Sequence, residues 1–407
     1  MSPAGTFFLA RRLAKCGWLP GIGLVLWIGA CTSCQTSSTA INSEELAPGV
    51  VHHEIYLLQG PWSIHLIEID LVSAWKAGIR LRTAKSDPAL GGEKTSNMAA
   101  RSIAAINGDF FYASGRPLGM QIHAGTLLQG PNARSAFAIA EDGNPMIAVF
   151  RFRASLSTAA GQVLAISRFN RKSVARGPIF YNYVAQTWKD SVHAAVGFQL
   201  QSLGGHLAIN DTIAARVLQV RRRAWPLRLE PDQWLVAVGA EDLPNENIAP
   251  GDTLKLSFAL PPATRHLQEA IGGGPRIIRD GSTSIEYEPE HLDYSFARDR
   301  NARTAIGYTA NQQTLFLVTV DGGQPGYSAG MRLEELANFM VHELADFTVS
   351  GANAYQALNM DGGGSTTMVV RQRVVNRPSD PIGERPVGNA LLVVEQGRAP
   401  VAAGFSF

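Results

Sequence analysis

The stretch 357-ALNMDGGGSTTMVV-370 decides how the chain is read. Ala357–Met360 and Thr366–Val370 have the apolar texture of strands, and the residues between them make a glycine turn. Three consecutive glycines cost conformational entropy in any regular element. Gly362, Gly363 and Gly364 therefore stand where backbone takes positive φ or lies close against another group. No helical pattern follows Ser365, which excludes a nucleotide-binding phosphate loop. Two readings stay open. In one, successive amides of the turn form an anion-binding nest, with the Ser365 and Thr366 hydroxyls as further donors and Asp361 as a carboxylate at the strand end. In the other, the turn is a plain hairpin in which Asp361 bonds its own backbone.

Outward from this turn, Thr304–Thr309 and Thr314–Val320 read as paired strands, and Val387–Val394 as a last strand. Leu333, Leu336, Ala337, Met340 and Leu344 fall on one helical face, with His342 on the exposed side. Upstream, Val51–Leu58, Ser63–Leu71 and Ile79–Arg82 alternate as half-buried strands do. Ser96–Arg101 reads as a short helix with Thr95 as N-cap, and Ile103–Ile106 as a buried strand. From Met146 to Leu260 short alternating runs are cut by turn residues such as Pro244, Pro250 and Gly251. Residues 146–260 are thus expected to form a β-rich insertion between two parts of one domain, 49–145 and 261–407. Strands with a few helices and no regular βαβ alternation predict an α+β fold, with mixed, strand-rich sheets.

The 407 residues are 45% hydrophobic and 17% charged, with a net charge of +2. A large core is affordable, and no general affinity for nucleic acid is implied. The run Arg221-Arg222-Arg223 reads as a solvated strand face. Cys16, Cys31 and Cys34 are the only cysteines, so the folded body can hold neither a disulfide framework nor a cysteine nucleophile. Residues 1–30 read as an export signal: Arg11, Arg12 and Lys15 precede an apolar stretch, Trp18 to Ile28, too short to span a bilayer. Ile28-Gly29-Ala30-Cys31 resembles a bacterial lipobox. It implies lipidation of Cys31 and a membrane-anchored, exported protein, on the periplasmic side or outer membrane of a bacterium. Residues 31–48 are then expected to be a flexible tether.

Several further motifs sit at predicted strand ends: Asn107 and Asp109, Gly272-Gly273-Gly274-Pro275, Arg303, Asp321-Gly322-Gly323 and Glu384-Arg385-Pro386. Each alone is explained by a turn. Together, Ile106–Phe111, Pro117-Leu118-Gly119, Gly272–Pro275, Arg303–Gly307, Asp321-Gly322, Leu333–Ala337, Asn359–Thr366, Pro378-Ser379-Asp380 and Arg385-Pro386-Val387 follow the order seen in the phosphodiester glycosidase family, which the chain resembles from about Ile103 to Val394. Asp109 stands where another member has a small residue, and it is given no role.

The resemblance implies a hydrolase that releases a sugar, N-acetylglucosamine among the candidates, from a glycosyl 1-phosphodiester in cell-envelope or exopolysaccharide material. Such a leaving group is already a stable anion. The chemistry needs cations to hold the phosphate and a carboxylate to activate water or stabilise an oxocarbenium-like transition state. Arg303, Arg385, Gly362, Gly363, Gly364, Ser365 and Thr366 suit the first need; Asp361, Asp321 and Glu384 suit the second. Asn107 and Asn359 suit sugar hydroxyls, or alternatively cap turns. His123 is a candidate pocket residue, or a satisfied strand histidine. No cofactor is expected, although Asp321, Asn359 and Asp361 offer oxygen ligands of the kind Ca²⁺ or Mg²⁺ takes. A phosphodiesterase breaking the P–O bond and an anchored glycan-binding protein are the competing readings.

Overall fold

The computed structural model describes residues 39–396, leaving out 87–90, 171–176, 189–190, 193, 205–207, 223–224, 227 and 246. Residues 1–30, expected to be an export signal, Cys31 and Arg223 lie outside the described residues. Four large sheets make up the fold, antiparallel except where Arg168–Phe169 pairs in parallel with Ile179–Asn182. An eight-stranded sheet runs in spatial order Thr39–Ala47, Val50–Leu57, Trp62–Asp70, Thr314–Val320, Arg303–Tyr308, Gln356–Asn359, Arg276–Arg279 and Ser282–Thr283. A five-stranded sheet runs Arg373–Val374, Met368–Val370, Ala104–Asn107, Asn389–Glu395 and Ile79–Lys85. These two face each other, and Ile67, Ile69, Ile306, Leu317 and Leu358 pack against Ile106, Met368, Leu391 and Val393. Each such side chain contributes about 1.5–3 kcal/mol by leaving water.

The outer face of the larger sheet is closed by Leu333–Asn338 and the helical turns Phe339–Glu343 and Leu344–Phe347 that continue it. Leu333, Leu336, Met340 and Leu344 pack there on Leu66, Phe316 and Val318, and His342 is exposed as the helical spacing predicts. A second five-stranded sheet, Thr126–Gln129, Gln121–His123, Leu267–Gly272, Ser135–Ala140 and Pro145–Val149, links this body to an eight-stranded sheet built from residues 153–259. That last sheet shares a core with the linking sheet through Phe152, Phe180, Trp234, Phe258 and Ala138.

Among the described residues strands make up 46% and helical turns 12%, so the strand-rich sheets with a few helices are as expected and the balance is mostly β. Two expectations are corrected. The helix expected over 96–101 is only Thr95–Met98, with Lys94 at its N-cap. Residues 39–47, expected within the tether, form the strand Thr39–Ala47 paired with Val50–Leu57. Its side chains are almost all exposed, so its sequence shows no apolar alternation; main-chain hydrogen bonds to one neighbour hold it at the sheet edge.

Candidate active site

The ends of Ala104–Asn107, Arg303–Tyr308 and Gln356–Asn359 converge where the two facing sheets meet. One buried amide ties them together. Asn107 Nδ2 donates to the Asp361 carbonyl at 2.8 Å, while Asn107 Oδ1 accepts from Thr304 Oγ1 at 2.7 Å and from the Thr367 amide at 3.1 Å. Asn359, also fully buried, donates from Nδ2 to the carbonyls of Gly274 and Met360 at 2.8 and 2.7 Å. Both asparagines are therefore braces of the strand ends. Only Asn359 Oδ1 is left without a partner.

The glycine turn bonds its own backbone, as in the second reading, but it joins strands of two different sheets and is not a hairpin. Gly362 N donates to Asp361 Oδ1 at 3.0 Å. Gly363 N donates to the Ala302 carbonyl at 2.8 Å, Ser365 N to Gly362 at 3.2 Å and Thr366 N to Gly363 at 3.1 Å. These amides are thus engaged within the protein and do not form a nest. Gly363 adopts φ 59°, which favours glycine. At Gly364 a Cβ would lie 2.4 Å from Arg385 Nη2 and 2.9 Å from Asp380 Oδ2, so the absent side chain makes room for the guanidinium.

Arg385 is held by Asp380, whose Oδ2 accepts from Nε at 2.7 Å, and remains 44% exposed. Burial pushes the half-buried Asp361 carboxyl up to about 6, against the Ser365 hydroxyl, the Gly362 amide and the Arg385 charge, which favour the ionised form. The triple-glycine turn thus brings together Asp361, Arg385 and Ser365, as the sequence suggests.

Asp109 faces the same place, which is a correction to its having no role. It is 1% exposed. The Gly119 amide donates to its Oδ2 at 2.5 Å, and its own amide donates to Asn389 Oδ1 at 2.8 Å. A Cβ on Gly272 or Gly119 would fall 2.6 or 2.9 Å from Asp109 Oδ2, so both glycines are needed for the carboxyl to fit. Oδ1 is buried with no partner. Burial lifts this carboxyl to about 7, and the nearby Asp361 charge adds to the rise; the Gly119 amide and Arg134 oppose it. Arg134 carries its guanidinium 5.2 Å above the Phe110 ring, and no residue among those described takes its side-chain N–H groups. Phe110 meets Phe296 edge-on at 5.6 Å between ring centroids.

Three predicted site residues have other work. Arg303 is 1% exposed. Its Nε donates to the Met331 carbonyl at 2.8 Å and its Nη2 to those of Phe296 and Asp299 at 3.1 and 2.5 Å. It also stacks on Phe296. It is a clamp on the 296–299 and 331 loops and not a phosphate ligand. Burial without an ion pair lowers its pKa to about 10. Asp321 is fully buried, and its oxygens accept from Asn376 Nδ2, the Arg377 amide and the Tyr327 hydroxyl at 3.0–3.1 Å. Asn376 in turn binds the Thr366 carbonyl and the Met368 amide, so Asp321 positions the far side of the glycine turn. Glu384 accepts from Ser96 N at 2.7 Å and Ser96 Oγ at 2.5 Å, capping the short Thr95–Met98 helix. Thr366 is buried, with a hydroxyl that finds no partner, and His123 lies 3.6 Å from the Glu269 carboxylate.

Comparison with known proteins follows from this geometry. Residues 230–394 match the phosphodiester glycosidase family. The matched segment carries Asp361, Arg385 and the glycine turn. A stretch of 121 residues is 33% identical to the N-acetylglucosamine-1-phosphodiester alpha-N-acetylglucosaminidase of Bos taurus, covering 28% of this chain and 21% of that protein. The chain thus spans about a fifth of the length of this relative. Two solved structures share the fold. A hypothetical protein from Synechocystis aligns with TM-score 0.65 at 22% identity, over 87% of this chain and 63% of that one. A protein of Burkholderia pseudomallei K96243 described as exported aligns with TM-score 0.62 at 20% identity, over 88% and 97%. Among the described residues no helix is long and apolar enough to cross a membrane.

Chemically, the corner pairs two carboxyls whose protons are lost far above the usual carboxylate range with two guanidinium groups at its rim. Asp109 and Arg134 were missed in the sequence. A carboxylate closing a buried strand next to Gly108, with Gly119 and the Gly272 cluster elsewhere, was the one signal for Asp109. Arg134, in an irregular loop, offered none.

Proposed function

We propose that the chain hydrolyses a glycosyl phosphodiester at the anomeric carbon, releasing the sugar from the phosphate. The observation that carries this reading is the Asp109–Asp361 pair, whose carboxyls titrate near 7 and 6 beside Arg134 and Arg385. Between these values Asp361 is ionised while Asp109 keeps its proton. Arg134 and Arg385 grip the esterified phosphate through charge-assisted hydrogen bonds. The ionised carboxylate, Asp361 in the simplest assignment, activates water or stabilises positive charge at C1, while Asp109 holds the proton. Phe110 and Phe296 offer an apolar wall to the sugar face. Activity is therefore greatest between about pH 6 and pH 7 and falls as pH rises through the upper value.

The family match on residues 230–394 supports a hydrolase of this class. The substrate we favour is phosphate-linked sugar of cell-envelope or exopolysaccharide material, reached from a lipid anchor on Cys31 of an exported protein. Palmitate labelling that disappears in Cys31→Ser checks the anchor. No cofactor takes part in the proposed chemistry, so adding Ca²⁺ or Mg²⁺ to chelator-treated protein leaves turnover unchanged. The deciding experiment is turnover of a sugar 1-phosphodiester in ¹⁸O-water. Label in the released sugar is the expected result. Label in the phosphate would replace this reading with P–O cleavage, and binding without turnover would replace it with a glycan-binding role.

A further inference from the structure

The outer strands of the larger eight-stranded sheet hold an imidazole cluster that the proposed chemistry does not use. His52 and Glu54 share one face of Val50–Leu57, and Trp62–Asp70 sets His65 directly opposite Glu54. His52 Nε2 lies 3.3 Å from His65 Nδ1. One ligand atom from each of His52, Glu54 and His65 can be chosen so that all lie within 4.8 Å of one another. The two rings are 5% and 6% exposed, whereas Glu54 is exposed, so the cluster is walled by the sheet and opens on one side.

The two rings lie at hydrogen-bond distance, and the same 3.3 Å spacing accepts a metal ion: two nitrogens bound tetrahedrally at about 2.0–2.1 Å from one zinc ion lie about 3.3–3.4 Å apart.

We propose that His52, Glu54 and His65 form a zinc site, two imidazoles and one carboxylate with a fourth position left for water. Such a donor set suits Zn²⁺ better than Ca²⁺ or Mg²⁺, which take oxygen ligands. Zinc here fastens the edge hairpin to the body. His65 pairs in register with Thr319, and Thr319 with Thr304, which hydrogen-bonds Asn107 beneath the carboxyl corner.

The test uses the full chain, stripped with a chelator and titrated with Zn²⁺, with Co²⁺ as a spectroscopic probe. One zinc per chain, visible absorption bands of tetrahedral intensity with Co²⁺, and a zinc-dependent rise in melting temperature are expected. Glu54→Gln, at an exposed position, and His65→Asn each weaken zinc binding by about tenfold or more. His266→Asn, on a remote exposed histidine, leaves it unchanged. Absence of stoichiometric zinc, or equal affinity in Glu54→Gln and the parent, would overturn the assignment. Glu54→Gln leaves the core untouched, so that outcome remains decisive even where His65→Asn fails to fold.

Discussion

The carboxyl corner and the eight-stranded sheet of residues 153–259 treat buried polar groups in opposite ways. In the sheet, Asn170 and Asn182 bond each other at 2.8 and 3.1 Å, and Asn182 also reaches the Leu127 carbonyl at 2.8 Å. Among the described residues there, only Asp242 keeps a buried polar atom without a partner. In the corner, Asp109 Oδ1, Asn359 Oδ1 and the Thr366 and Thr367 hydroxyls all lack one. An unsatisfied buried polar atom costs about 1–3 kcal/mol, so a fold keeps a group of them only where something else is gained. The difference supports the corner as the place of the proposed chemistry.

The sharpest way to break this contrast is to neutralise the pair. Asp361→Asn and Asp109→Asn should each lower kcat by about 10²–10⁴-fold while the far-ultraviolet spectrum stays that of the parent. Asn182→Ala should do the reverse, costing about 1–3 kcal/mol in chemical denaturation with kcat unchanged. A corner variant with full activity would erase the distinction.

A second comparison separates arginines by what they touch. Arg134→Ala should raise KM for a phosphodiester by about tenfold or more, since a charge-assisted hydrogen bond is worth about 1.5–3 kcal/mol. Arg303→Met strands three carbonyls and should instead lower stability, by about 3 kcal/mol. Gly364→Ala places a methyl against Arg385 and should reproduce a milder form of the Arg134 defect with little change in melting temperature.

The smallest effect is a matter of pH. A carboxyl whose proton is held up to about 7 when folded, against an ordinary 3.8, binds that proton more tightly in the folded state. Stability then declines as pH rises between those values. Asp109→Asn removes the decline. The variant should be the more stable protein at about pH 8, with the gain vanishing below about pH 4. Thermal melts across that range measure it.

Much of this was legible beforehand. The strands flanking the glycine turn and the helix beginning at Leu333 follow from periodicity, because each buries one regular face. Asp361 and Arg385 stood out only together with the other motifs, in the order of the family the chain resembles, since a turn explains each alone. What failed was long-range. Nothing in the chain says that Arg303 meets the carbonyls of Phe296, Asp299 and Met331, or that Glu384 caps a helix 288 residues away at Ser96. The strand Thr39–Ala47 was missed because an edge strand needs main-chain partners more than apolar side chains. Asp109 was set aside on a comparison with one relative, although its neighbours Gly119 and Gly272 were in view.

Those two glycines also decide which lone pair of Asp109 is usable. Oδ2 is sealed between their bare backbones and bonded to one amide, so the proton can come and go only at Oδ1. Any group that trades a proton with this acid must approach from that single side, because a side chain is missing on the other.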